Sequence, residues 1–173
     1  EQVCITTVAN GRSDLRTRNT VGMFVNTLAM TATVGKQTVR EFLQEVSGNF
    51  DETLNHENYP FAQIAADYGL TPEIQFVYQI GVATEYTVGG TPLKIETFGT
   101  QIPKFPITFF IAPVDGQPCV CVAYDNGKYS ARLMQSLADA VKVTVERMIA
   151  KPDTALTSIS IVSDEEAERL IKI

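Results

Sequence analysis

The chain has 173 residues, 45% of them hydrophobic and 20% charged, enough for one compact domain with a sizeable core and too apolar for wholesale disorder. A formal net charge of −6 with scattered Lys and Arg argues against a phosphate backbone as the main partner, so no nucleic-acid interface is expected. No apolar run approaches the roughly 20 residues that span a bilayer, and the start, Glu1-Gln2-Val3-Cys4-Ile5, lacks the regions of a signal peptide.

A start without Met is expected of a segment cut from something longer. The chain's 3 cysteines cannot all pair, and Cys119 and Cys121 diverge along a strand-like stretch. A reducing, cytoplasmic location is therefore expected.

Residues 1–9 alternate as a short strand, with Val3, Ile5 and Thr7 against Cys4, Thr6 and Val8, and Asn10-Gly11-Arg12-Ser13-Asp14 breaks it as a loop. Residues 22–30 form a second apolar stretch, read as a strand with Phe24 and Val25 as its bulky members. Thr38-Val39-Arg40-Glu41 has capping-box spacing and opens a helix whose inner face is Val39, Phe42, Leu43, Val46, Phe50 and Leu54. Pro60 separates it from a short helix to Tyr68, which Gly69 ends.

The middle is strand-rich. Ile74, Phe76, Tyr78 and Ile80 alternate with Gln75, Val77 and Gln79. Tyr86 to Val88, Gly89-Gly90 and Leu93 to Ile95 predict a hairpin. Pro106 to Pro113 and Pro118 to Tyr124 predict two strands joined at Asp115-Gly116, the first apolar enough to be buried on both faces. Asp125-Asn126-Gly127 ends the second. Ser130 caps a long helix with Leu133, Leu137, Ala140, Val141, Thr144, Val145 and Met148 inward, which Pro152 ends. Ile159 to Val162 is a last strand or extended linker, and Ser163-Asp164-Glu165-Glu166 opens a terminal helix. The fold class expected is α/β, a two-layer sandwich with a mixed sheet covered by helices.

Two segments carry the functional signal. Gly22-Met23-Phe24-Val25-Asn26-Thr27 follows the Gly11-Arg12 loop, and His56-Glu57-Asn58-Tyr59-Pro60-Phe61 lies between the two helices. Read alone, the first is a buried strand with Asn26 closing a turn, and His56 is a favourable charge near a helix end. Together, in this order and separation, they resemble the second half of a condensation domain from nonribosomal peptide synthetases, a chloramphenicol acetyltransferase-like fold. That family carries Gly-x-Phe-Val-Asn-Thr after a Gly-Arg loop, and His-Gln-Asp-Tyr-Pro-Phe-Glu between two helices. This chain departs from it at Glu57, Asn58 and Ala62, and has Met30-Thr31 where an arginine is usual. Lys104 to Thr108, Tyr124-Asp125 and Ser158 to Glu166 match more softly.

The resemblance implies that residues 1–162 are the C-terminal half of such a domain, with 163–173 a terminal helix or the start of a linker towards an adenylation domain. It implies amide formation between aminoacyl or peptidyl groups tethered by phosphopantetheine to carrier domains, with no cofactor bound directly. Asn26 and Thr27 would lie at the substrate channel, while Gly22, Phe24, Val25, His56, Tyr59, Pro60 and Phe61 would be structural. The implied partners are the N-terminal half, the peptidyl carrier and the adenylation domain, and the lone half is expected to self-associate through the face it exposes.

With 1 histidine the family's His-His-x-x-x-Asp-Gly element cannot be present, so no catalytic residue is assigned and the fragment alone is expected to be inactive. One His and no clustered Cys leave no zinc site. Nucleotide-binding loops and Gly-x-Ser-x-Gly elbows are missing from the sequence. Epimerisation or cyclisation on the same framework, another acyltransferase of the superfamily and a non-catalytic interaction scaffold remain as alternatives.

Overall fold

The computed structural model describes residues 1–78, 85–94, 103–114, 117–163 and 167–168. Ile80, Ile95, the Asp115-Gly116 turn and Asp164 to Glu166 of the sequence reading lie outside them.

β-Branched and aromatic residues at alternating positions build a mixed five-stranded sheet in the order β2-β1-β3-β6-β7. Its strands are β1 (Gln2–Ala9), β2 (Asn26–Thr33), β3 (Ile74–Tyr78), β6 (Ile107–Val114) and β7 (Gln117–Tyr124). The outer pairs, β1 with β2 and β6 with β7, are antiparallel, whereas β3 runs parallel to both neighbours. A separate hairpin, β4 (Glu85–Val88) and β5 (Thr91–Lys94), turns at Gly89 and Gly90, both at positive φ as a tight two-residue turn requires. Three helices complete the described chain: α1 (Val39–Asn55), α2 (Phe61–Tyr68) and α3 (Ala131–Ala150). The architecture is the α/β sandwich with a mixed sheet expected from the sequence.

The helix ends follow from local chemistry. Thr38 and Glu41 close the expected capping box at the start of α1, Gly69 terminates α2 at φ 63°, and the Ser130 hydroxyl accepts from the Leu133 amide. Two expectations are corrected, the second in part. The second strand begins at Asn26 and runs to Thr33, because residues 22–25 are held by the Arg12 loop instead of a neighbouring strand. On α3 the buried residue is Met134, with Leu137 and Val141 of the expected inner face packed beside it, while Leu133 and Val145 of that face are about half exposed. Residues 159–162 are the linker, not the strand, of the two forms expected; a short 3-10 turn, Leu156–Ser158, precedes them, and the Arg147 guanidinium donates to the carbonyls of Ser160 and Val162.

The core is thin. Ile107 and Phe109 of β6 pack with Met134, backed by Val122, Tyr124, Leu137 and Val141. Leu28 and Met30 of β2 are buried on the same face, and α1 lies along that strand. Between these two regions the face carries Val3, Ile5, Ile74, Phe76 and Tyr78, between 36% and 60% exposed. Much apolar surface is left uncovered.

Candidate functional site

Parallel neighbours in an open sheet leave a crevice beyond their carboxyl ends where consecutive connections leave to opposite sides. Here β1 is followed by β2 on one side, and β3 then joins on the other. Only Thr6 and Gln75 pair in register between β1 and β3, so the strands part beyond that point. Thr6 reinforces the junction by donating its hydroxyl to the Ile74 carbonyl at 3.0 Å. Past it opens a groove of about 780 Å³ with apolar walls from Val8, Ala9, Val25, Leu54, Val77 and Tyr78. Asn10, Arg12, Ser13, Asn55 and Glu57 supply its polar groups.

Local sequence explains why these side chains converge. Gly11 takes φ +63°, and a Cβ there would fall 2.0 Å from the Phe24 carbonyl oxygen; only glycine permits this approach. The next residue, Arg12, donates to the carbonyls of Thr17, Thr20 and Gly22 at 2.5, 2.8 and 3.0 Å. Its guanidinium also lies over the Phe24 ring, 4.7 Å from the centroid. The Gly-Arg loop and the Gly22 to Phe24 segment are thereby folded onto one another, and Val25 is presented to the groove.

Asn26 ties this corner to the helix junction. Its amide donates to the carbonyls of Glu57 and Tyr59, both at 2.7 Å, across 31 and 33 residues. The two segments singled out in the sequence therefore meet through one side chain, whose Oδ1 remains available as an acceptor. Thr27 is buried and pairs with Val8 in the β1–β2 register. Neither Asn26 nor Thr27 lines the groove; Val25 does.

The second segment divides between surfaces. His56 caps the C-terminus of α1, is exposed, and lines a separate groove of about 360 Å³ with Leu28, Tyr59, Ile64 and Tyr68. Pro60 precedes the first residue of α2. Phe61 is half-buried and faces Cys4, Thr6 and Leu70 around a cavity of about 250 Å³. Tyr59 is about half exposed and is held through its backbone, the amide donating to the His56 carbonyl and the carbonyl accepting from Asn26.

Sequence reasoning missed Glu57. It is only 6% exposed, accepts a short hydrogen bond from the Ser13 hydroxyl, and lines the 780 Å³ groove beside Ser13. A lone carboxylate after a helix end reads as solvated in sequence, and nothing in the spacing signals otherwise. Among the described residues no group of three or more His, Cys, Asp or Glu side chains could hold a metal, and no helix is long and apolar enough to cross a membrane.

The comparisons with known proteins agree with this architecture. Gramicidin S synthase 2 of Brevibacillus brevis is 27% identical over 181 residues, covering 99% of this chain and 4% of that protein. Bacitracin synthase 1 of Bacillus licheniformis is 26% identical over 180 residues, covering 99% of this chain and 3% of that protein. The chain thus spans a small part of these relatives. A holo four-domain nonribosomal peptide synthetase bound to AMP and glycine superposes with a TM-score of 0.82 at 19% identity, over 96% of this chain and 14% of that one. The first condensation domain of the calcium-dependent antibiotic synthetase, in complex with a substrate analogue, gives 0.72 at 14% identity, over 94% of this chain and 37% of that one. At these identities the superpositions establish the fold. Because the family model "Condensation domain" matches residues 1–171, nearly the whole chain, this chain belongs to the condensation domain family.

Proposed function

We propose that this chain is the C-terminal half of a condensation domain in a nonribosomal peptide synthetase, and that the groove at the ends of β1 and β3 is one wall of its reaction channel. In that channel the amine of one carrier-bound aminoacyl group attacks the thioester carbonyl of another. The new C–N bond replaces the C–S bond, and the thiol of the departing phosphopantetheine arm receives the proton. Those arms belong to carrier domains, and this half binds no cofactor of its own. The observation that carries the reading is a groove at the strand-order switch of a chain that belongs to this family.

The division of labour follows from the residues present. With a single histidine, His56, exposed and lining a different groove, this half supplies shape and polar contacts. An N-terminal half supplies the His-His-x-x-x-Asp-Gly element whose second histidine promotes amine attack. Asn26 and Thr27 act behind the channel by fixing its wall: Asn26 ties β2 to the helix junction, and Thr27 pairs with Val8. The apolar stripe of Ile5, Phe76 and Tyr78 calls for the N-terminal half as its cover, and the same stripe makes the isolated chain self-associate. Residues 1–162 form the half-domain, and 163–173 lead towards an adenylation domain in the same cytoplasmic assembly.

Val25 is 55% exposed and lines the groove, so Val25→Trp narrows the channel with little cost to folding. In the intact domain this variant is expected to slow condensation of carrier-bound aminoacyl thioesters at least about tenfold, with an unchanged melting temperature. An unaltered condensation rate in a folded variant would overturn the channel assignment.

A further inference from the structure

We infer that Glu57 is a specificity-determining residue that takes a cationic group, an ammonium or guanidinium at the end of an aminoacyl side chain, into the groove. The inference rests on the channel reading above.

A buried carboxylate is costly unless it is paired or richly hydrogen-bonded. Glu57 is 6% exposed, yet its side chain has one hydrogen-bond partner among the described residues, the neutral Ser13 hydroxyl. No described Lys, Arg or His forms an ion pair with it; Arg16 pairs with Asp14 and Arg40 with Asp153 instead. Arg12, the one cationic side chain on the groove among the described residues, directs its guanidinium to three backbone carbonyls and the Phe24 ring. No described buried side-chain oxygen lacks a partner while sealed from solvent, so the second Glu57 oxygen is not sealed, and the residue lines the groove.

The surroundings suit a long side chain with a charged tip. Val8, Val25, Leu54 and Val77 form apolar walls for methylenes, and a volume of about 780 Å³ lies within the range of small-molecule sites. The cation meant is the side-chain terminus and not the reacting amine. That amine must be neutral to attack, and a buried carboxylate beside it would favour its protonated form.

The test uses the intact condensation domain and carriers loaded with lysyl or norleucyl groups, in turn at the acceptor and the donor position. The two groups differ by the terminal ammonium. The wild type is expected to favour lysyl at one position. Glu57→Gln, which keeps an acceptor for Ser13, should cut the ratio of lysyl to norleucyl rates about tenfold to a hundredfold without moving the melting temperature. Equal loss for both groups would overturn the inference in favour of a purely structural Glu57 or one acting at the reacting amine. So would a wild type with no preference at either position, or a ratio that Glu57→Gln leaves unchanged. Val25→Trp separates the two levels: if it slows both groups while the Glu57→Gln ratio is flat, only this inference fails, and if it slows neither, the channel reading fails first.

Discussion

Two regions of this chain are held together by different physics. The corner built from Arg12, Phe24, Asn26 and the α1–α2 junction consists of directed hydrogen bonds to backbone carbonyls, five of them from two side chains. The packing beneath α3 consists of apolar area, with Ile107, Phe109 and Met134 fully inside and their neighbours only partly so. Directed bonds fix positions to a fraction of an ångström and tolerate little geometric change. Apolar contact tolerates repacking so long as volume is roughly kept. The groove sits at the first region, which suits the proposed role of a wall that orients a substrate.

The largest expected effect tests the rigid region. Gly11→Ala places a methyl 2.0 Å from the Phe24 carbonyl oxygen, at φ +63°. The backbone must move, and with it Arg12 and its three carbonyl acceptors. A loss of about 4 kcal/mol is expected in thermal unfolding of the intact domain, at the upper end for one substitution. A cost below about 1 kcal/mol would mean that the corner yields and that its bonds do not determine the geometry of the groove.

Met134→Ala probes the other region and should cost less, about 2.5 kcal/mol by the same measurement. The transfer term for a buried Met is present, but half-covered neighbours such as Leu137 and Val141 can move into the space. If this variant cost as much as Gly11→Ala, the contrast between a rigid corner and a yielding core would fail.

The same contrast explains what could be read from the sequence. Features with a local cause were legible: the Thr38 capping box, the Gly69 terminator, the Gly89-Gly90 hairpin and the Ser130 cap each involve residues within four positions of one another. The start of β2 was misplaced because Phe24 is captured by Arg12, a tertiary contact that leaves no periodic trace. On α3 the spacing placed Leu137 and Val141 inward correctly, but not Leu133 and Val145, because apolar residues lie on several of its sides, Leu133 beside Met134 and Val143 beside Val145, and periodicity alone does not select among them. Family-like segments marked Asn26 and His56, but the groove depends on where β1 and β3 part, which requires the strand order. Glu57 was hidden for the same reason: its burial comes from Ser13 and the groove, 44 residues away in sequence at the hydrogen bond.

The smallest effect concerns the start of α1, where directed bonds again do the positioning but solvent competes for them. Helices begin with backbone donors that lack intrahelical partners. Here the Val39 and Arg40 amides donate to the carbonyls of Thr154 and Pro152 at 3.0 and 2.8 Å, beyond the end of α3. The Glu41 amide donates to the Thr38 hydroxyl, and the Glu41 carboxylate accepts from the Thr38 amide and hydroxyl at 2.8 and 2.9 Å. Thr38→Ala removes two of these bonds and leaves the others, so a cost of about 1 kcal/mol at neutral pH is expected. The bonds from the Thr38 amide and hydroxyl hold the Glu41 carboxyl below its usual range. A group whose folded pKa is depressed contributes stability above its unfolded pKa and loses it as pH falls through the folded one. The Thr38→Ala deficit should therefore shrink in acid, below about pH 4, and be largest near neutrality. Unfolding curves of both proteins at the two pH values measure the difference, and a deficit constant with pH would show that Glu41 does not share in the cap.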